Sequence, residues 1–167
     1  MKFMLAFPNP LQMIYRFLAV IIVYLSFFAL PALSMTFQVG PSPINVEVVG
    51  KGVMATGDAA RFEAAIRANP PNFRALMVTS GGGNVASAIE LAIRIKANSF
   101  SVIAHQECAS ACAMILFPAG EYSILTKGSM LGIHSCSASG IRHELCNESI
   151  AKFAISNGFP FGTLDRF

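Results

Sequence analysis

Leu76-Met77-Val78-Thr79-Ser80-Gly81-Gly82-Gly83, an apolar run closed by three glycines, decides how this chain reads. Ala75 to Val78 has the length and apolarity of a buried strand, and the glycines make the turn that ends it. From Asn84 to Asn98, Val85, Ile89, Ala92 and Ile93 fall on one helical stripe, with Glu90 and Arg94 spaced to pair outside it. A second strand follows over Ser99 to Ala104, built on the apolar run Ser101 to Ala104. Then comes Glu107-Cys108-Ala109-Ser110-Ala111-Cys112-Ala113, with an apolar helix expected from Ala109 to Leu116. A later run, Met130 to Ile133, ends on His134. Strand, helix, strand, helix in this rhythm predicts an α/β domain with a parallel sheet and right-handed crossovers. Each chemically able side chain lies just past a strand end, where such folds place their sites.

Ser110 and His134 form a plausible pair on chemical grounds. A serine hydroxyl is a weak nucleophile that needs a base within hydrogen-bond reach, and imidazole is the side chain that titrates near neutrality. At a helix N-terminus Ser110 would have backbone N–H groups and the positive end of the helix dipole aimed at a developing oxyanion. The Ala111 and Gly82 N–H groups are the natural donors, and glycine at 82 lets the backbone approach closely. The competing reading makes Ser110 a plain helix cap.

Ser-Gly-Gly-Gly-Asn-Val, Cys-Ala-Ser-Ala-Cys and Gly-Ile-His, in that order, resemble the proteolytic subunit of Clp protease. Its relatives are the signal-peptide-peptidase serine proteases and the wider crotonase-like superfamily, and the closest likeness is to small secreted Clp-like proteins of bacteria. The likeness covers about residues 44 to 137. It implies a β-α superhelix built on parallel strands, a nucleophile at Ser110, a base at His134 and oxyanion donors at Gly82 and Ala111. It also implies a peptide or protein substrate, and trimers or larger rings of the chain. The family's triad is completed by an acid well downstream of the histidine. Here only Glu144, Glu148 and Asp165 follow His134. Asp165 is the candidate for that place, two residues from the end, where chains fray. Glu144 and Glu148 are expected to face solvent. Without an acid the pair is a dyad, or the chain is an inactive relative that binds peptides or self-assembles. The family core normally continues further, so the domain is expected to be short at its C-terminus.

The serine–lysine chemistry of the signal-peptide-peptidase relatives directs attention to Lys127, but that residue stands beside Gly128 in an expected solvated turn. His105 ends a strand and reads as structural; His143, in Arg142-His143-Glu144, reads as exposed.

The first 34 residues read as a separate segment. Lys2 and Arg16 precede an uncharged apolar stretch, residues 17 to 30, followed by the small residues of Ala32-Leu33-Ser34. That is the pattern of a secretory signal peptide cleaved after Ser34, leaving 35–167 as the domain in the periplasm or outside the cell. If it stays uncleaved, residues 11–30 become a membrane anchor. The chain of 167 residues carries a net charge of +3, and removing the leader lowers it to +1. With no lysine/arginine run, nothing points to nucleic acid.

Four cysteines, Cys108, Cys112, Cys136 and Cys146, in an exported domain predict disulfides. Cys136 with Cys146 closes a short loop. Cys108 with Cys112 needs Cys108 to lie before the first helical turn, because side chains four apart on a helix are too distant. A zinc set of Cys108, Cys112, His134 and Cys136 has suitable ligand types but no recognisable spacing, so no metal is expected. No cofactor is expected either: Gly81-Gly82-Gly83 lacks the phosphate-loop lysine and the dinucleotide spacing. A crotonase-type acyl-CoA enzyme could use the same oxyanion geometry, but export separates it from such substrates.

Elsewhere, Met35 to Pro43 reads as an irregular entry segment because of Gly40-Pro41-Ser42-Pro43. Ile44 to Val49 alternates as a half-buried strand, which Lys51 to Met54 extends. Asp58 is placed as the N-cap of a helix through Ala68, stopped by Asn69-Pro70-Pro71. A last helix is expected over Glu144 to Ser156, ended by Asn157-Gly158.

Overall fold

The computed structural model describes residues 34–40, 48–138 and 141–158. The leader before Ser34, the start of the Ile44–Val49 strand and Asp165 lie outside them.

The glycine-ended run forms strand β3 (Ala75–Ser80), with Leu76, Met77 and Val78 buried. A strand buried on both faces cannot sit at a sheet edge, and β3 is central. It is parallel to β2 (Val48–Lys51) on one side and to β4 (Ser101–Ala109) on the other. Beyond β4, also parallel to it, lie β5 (Ser123–Leu125) and β6 (Met130–Gly132), each using a different stretch of β4. The far edge is β1 (Thr36–Val39), antiparallel to β2. The fold is therefore α/β with a mixed, mostly parallel sheet, and two expectations are corrected. The sheet is not wholly parallel, and the entry segment is not irregular throughout. Phe37 and Val39 alternate with the exposed Thr36 and Gln38, so they can pack on the core from an edge strand.

β4 runs to Ala109, well past the expected end at Ala104. The polar His105-Gln106-Glu107 that interrupts its apolar pattern is a bulge, with Gln106 at φ 62°. At that bulge β4 exchanges partners, from Ser123–Leu125 to Met130–Gly132. The turn between those strands is anchored there: Gln106 N–H donates to Ser129 Oγ at 2.8 Å.

Two helices form between the first parallel strands. α1 (Asp58–Ala68) follows Gly57, which takes the left-handed φ of 88° and stands in the capping position expected of Asp58. The buried Asp58 carboxylate instead accepts the Ala55 N–H at 2.6 Å and pairs with Arg61. α2 (Val85–Ala97) is capped by Asn84, whose Oδ1 accepts the Ser87 N–H at 2.9 Å. Arg94 reaches Glu63 of α1 at 3.5 Å rather than the expected Glu90, because it stands where the two helices meet. The helix after Ser110 is short and begins as a wide turn, Cys112–Leu116, continuing as α3 (Phe117–Ala119). A two-stranded ribbon, β7 (Ser137–Ala138) with β8 (Ile141–Arg142), leads to α4 (Glu144–Ser156). Among the described residues no helix is long and apolar enough to cross a membrane.

Phe62 lies at the centre of the core, edge-on to Phe37 at 5.5 Å and to Phe100 at 5.2 Å between ring centres. It joins α1 to β1 and to the entry of β4. Phe62→Ala empties a fully buried site, and urea unfolding should show a loss of about 3–5 kcal/mol.

Candidate functional site

Ser110 joins β4 to the following helix with a left-handed backbone, φ 55°. A β-carbon in that region crowds the backbone, at a cost of about 1–2 kcal/mol, so the conformation must be imposed by its surroundings. Four features impose it. The Ser110 N–H donates to the Gly132 carbonyl at 2.7 Å, extending the β4–β6 ladder through the turn. Its own carbonyl accepts the Met114 N–H at 3.0 Å. Cys108 and Cys112 are disulfide-bonded across it. This pairing meets the stated condition, since Cys108 is still in the strand. On its open side the Gly82 backbone, at φ 102°, presses against the serine side chain.

The Ser110 hydroxyl makes no hydrogen bond to a described residue, and the helix after it has no side-chain cap. A capping serine takes an extended backbone and accepts an N–H of the first turn; Ser110 does neither. The helix-cap reading is therefore overturned. What remains is a strained strand-to-helix elbow whose hydroxyl bonds no described residue, a backbone arrangement in which serine nucleophiles are found.

The glycine turn meets the elbow directly. A β-carbon added to Gly82 would lie 2.5 Å from Ser110 Cβ and 2.8 Å from the Ala109 carbonyl oxygen. The Gly82 N–H is engaged: it donates to Ser80 Oγ at 3.1 Å. Ser80 was legible only as part of the quoted run, and nothing in its spacing marked its hydroxyl for this contact. Ala111 is fully buried as the first residue of the helical turn, where N–H groups have no intrahelical partner.

His134 stands two residues beyond Gly132, in the loop after β6, and is exposed. The ladder that fixes Ser110 thus also delivers the histidine to the same end of the sheet. No hydrogen bond joins the two side chains. The His134 ring instead places Nδ1 3.0 Å from the Ser135 carbonyl oxygen. No described carboxylate is ion-paired with it. Glu144 pairs with Arg142, and Glu148 with Lys152 at 2.7 Å. The hydrogen bond from Lys152, then its charge, hold the Glu148 carboxyl below the ordinary carboxylate range.

The remaining candidates fall into structural places. His105 Nδ1 lies 3.3 Å from Thr126 Oγ1, beside the β4 bulge. Lys127 is exposed in a turn. His143 is exposed as expected, but it also caps α4, its Nδ1 accepting the Cys146 N–H at 3.2 Å. The second disulfide, Cys136–Cys146, ties the chain just after His134 to the first turn of α4. With both disulfides formed, the sulfurs weighed as zinc ligands are taken. A cleft of about 330 Å³ lies at the opposite end of β4, lined by Lys96, Ser99, Gly120 and Asn157. It has no part in the Ser110 cluster.

No family model matches the chain, and no curated protein is similar enough in sequence to match it.

Two substitutions test the strain. Ser110→Gly relieves the left-handed backbone while loosening the unfolded chain, and should raise stability by about 0.5–1 kcal/mol in urea unfolding. A capping serine would instead lose stability. Gly82→Ala adds both a positive-φ penalty and an overlap with the elbow, and should lower stability by about 2–4 kcal/mol.

Proposed function

We propose that the chain is an exported serine hydrolase of the Clp/crotonase-like type, acting on peptides by acyl transfer. The observation that carries this reading is the left-handed Ser110, held in a strained conformation by its surroundings while its hydroxyl bonds no described residue. Strained backbone that the surroundings over-determine clusters at active sites. In the proposed reaction Ser110 Oγ forms the bond to the substrate carbonyl carbon, and its proton passes to His134. The carbonyl oxygen becomes an oxyanion held by the Ala111 N–H and by the Gly82 N–H, which exchanges Ser80 Oγ for it. Protonated His134 then gives its proton to the leaving amine, and water releases the acyl group by the reverse steps. Apo sites often hold catalytic pairs apart, and the Ser110–His134 contact tightens on binding. The two disulfides suit an oxidising compartment, periplasmic or extracellular. Completion of the β-α superhelix and assembly of several copies belong to the same reading.

A second reading is a non-catalytic module of the same fold that binds peptides or self-assembles. It is favoured by the Gly82 N–H already held by Ser80 and by the burial of Ala111. A fluorophosphonate serine probe separates the two. The purified full-length chain is labelled and the modified peptide identified by mass spectrometry. Label at Ser110, absent in Ser110→Ala and slowed about 100-fold or more in His134→Ala, supports the hydrolase. A folded protein that takes no label at Ser110 supports the module.

A further inference from the structure

His134 has no described carboxylate to orient it, yet its ring is held. Nδ1 faces the Ser135 carbonyl oxygen at 3.0 Å. A carbonyl can only accept, so Nδ1 must carry the proton and Nε2 must be the free, basic nitrogen. The same peptide unit continues the chain of bonds: its N–H, that of Cys136, donates to Asn147 Oδ1 at 2.7 Å. The Asn147 amide is itself fully assigned. Its Nδ2 donates to the Cys136 carbonyl at 3.2 Å and to the His143 carbonyl at 2.9 Å. Flipping the amide would set donor against donor and acceptor against acceptor, so one orientation is enforced. Asn147 stands in the first turn of α4 beside Cys146, whose disulfide to Cys136 anchors the same loop.

We propose that the Ser135–Cys136 peptide, clamped by Asn147, takes the place of a triad acid: it fixes the tautomer and orientation of His134. This rests on the hydrolase reading for its catalytic consequence, though not for its geometry. A peptide whose N–H is bonded is a better acceptor at its carbonyl, because bonds in a chain polarise one another. The peptide brings no net charge, so it orients the ring and stabilises the imidazolium less than a carboxylate would. Asn147 acts through the loop and is a positioning residue.

The test reads the tautomer directly. In full-length protein with 15N-labelled histidine, the His134 ring nitrogens should show the Nδ1–H form. Asn147→Leu, of similar size without the amide, should shift His134 toward the commoner Nε2–H form and slow fluorophosphonate labelling of Ser110 about tenfold or more. Asn147→Asp keeps an acceptor for the Cys136 N–H but loses the donors to the Cys136 and His143 carbonyls, so its Nδ1–H fraction should fall between those of the wild type and Asn147→Leu. Backbone amide spectra confirm that each variant is folded. If Leu unfolds the loop, the wild-type tautomer still decides. Nε2–H in the wild type, or Nδ1–H untouched by Asn147→Leu in a folded protein, overturns the proposal. An Nδ1–H form that depends on Asn147, with no labelling in any protein, upholds the clamp and overturns the hydrolase reading instead.

Discussion

The left-handed turn at Ser110 is the constraint on which the site's geometry depends. No single contact would hold a serine there, because the conformation costs more than one neutral hydrogen bond returns. It survives because its N–H is already committed to β6 and its carbonyl to the helix, with a disulfide bridging its flanks. Gly82 then packs so close to the serine that a β-carbon there would overlap it. These contacts come from three separate parts of the chain, β3's glycine turn, the elbow itself and β6. The elbow is thus formed only once the sheet is assembled in register.

Register in turn depends on the bulge in β4. A strand with unbroken alternation would carry one partner along its whole edge. The left-handed Gln106 lets β4 bond β5 over Val102–Ala104 and then β6 over Glu107–Ala109. The intervening turn is pinned by Ser129 on the Gln106 N–H and by Thr126, whose hydroxyl bonds the Ala104 carbonyl at 3.1 Å. Gly132 must then approach Ala109 closely; a β-carbon there would come within 2.8 Å of Ala109 Cβ. The polar interruption of the apolar run and the glycine before His134 are two parts of one device. Together they bring the loop with His134 to the end of the sheet where Ser110 turns.

Much of this was legible in the sequence. Both long helices between the parallel strands, the C-terminal helix and the central strand are local patterns, and periodicity with its capping residues located them within a residue or two. That Ser110, Gly82 and the His134 loop stand at one end of the sheet was legible because each follows a strand. Three things were not. β1 is a short edge strand whose two inward residues were hidden by the glycine and prolines after it. β4's length depended on a bulge, and His105-Gln106-Glu107 reads as a strand end unless its tertiary partner is known. The Asn147 contacts pair residues eleven apart across a loop, at spacings that no helical or strand period marks. Sequence reading is strong where neighbours in the chain are neighbours in the fold, and it fails at contacts made by long-range closure.

The placement of the disulfides follows the same logic. Cys108–Cys112 and Cys136–Cys146 span only 4 and 10 residues. In the chain-entropy account, stabilisation by restricting the unfolded chain grows with loop length, and short loops give least. Their position is better explained by what they hold. One bridges the strained serine; the other starts two residues after His134 and ends beside Asn147. One lies within the core at the elbow, and the other packs against the core where the His134 loop meets α4. A domain that invested its cysteines in overall stability would join distant segments instead. Here both are spent within a few residues of the candidate chemistry, which is where a preorganised site needs rigidity most.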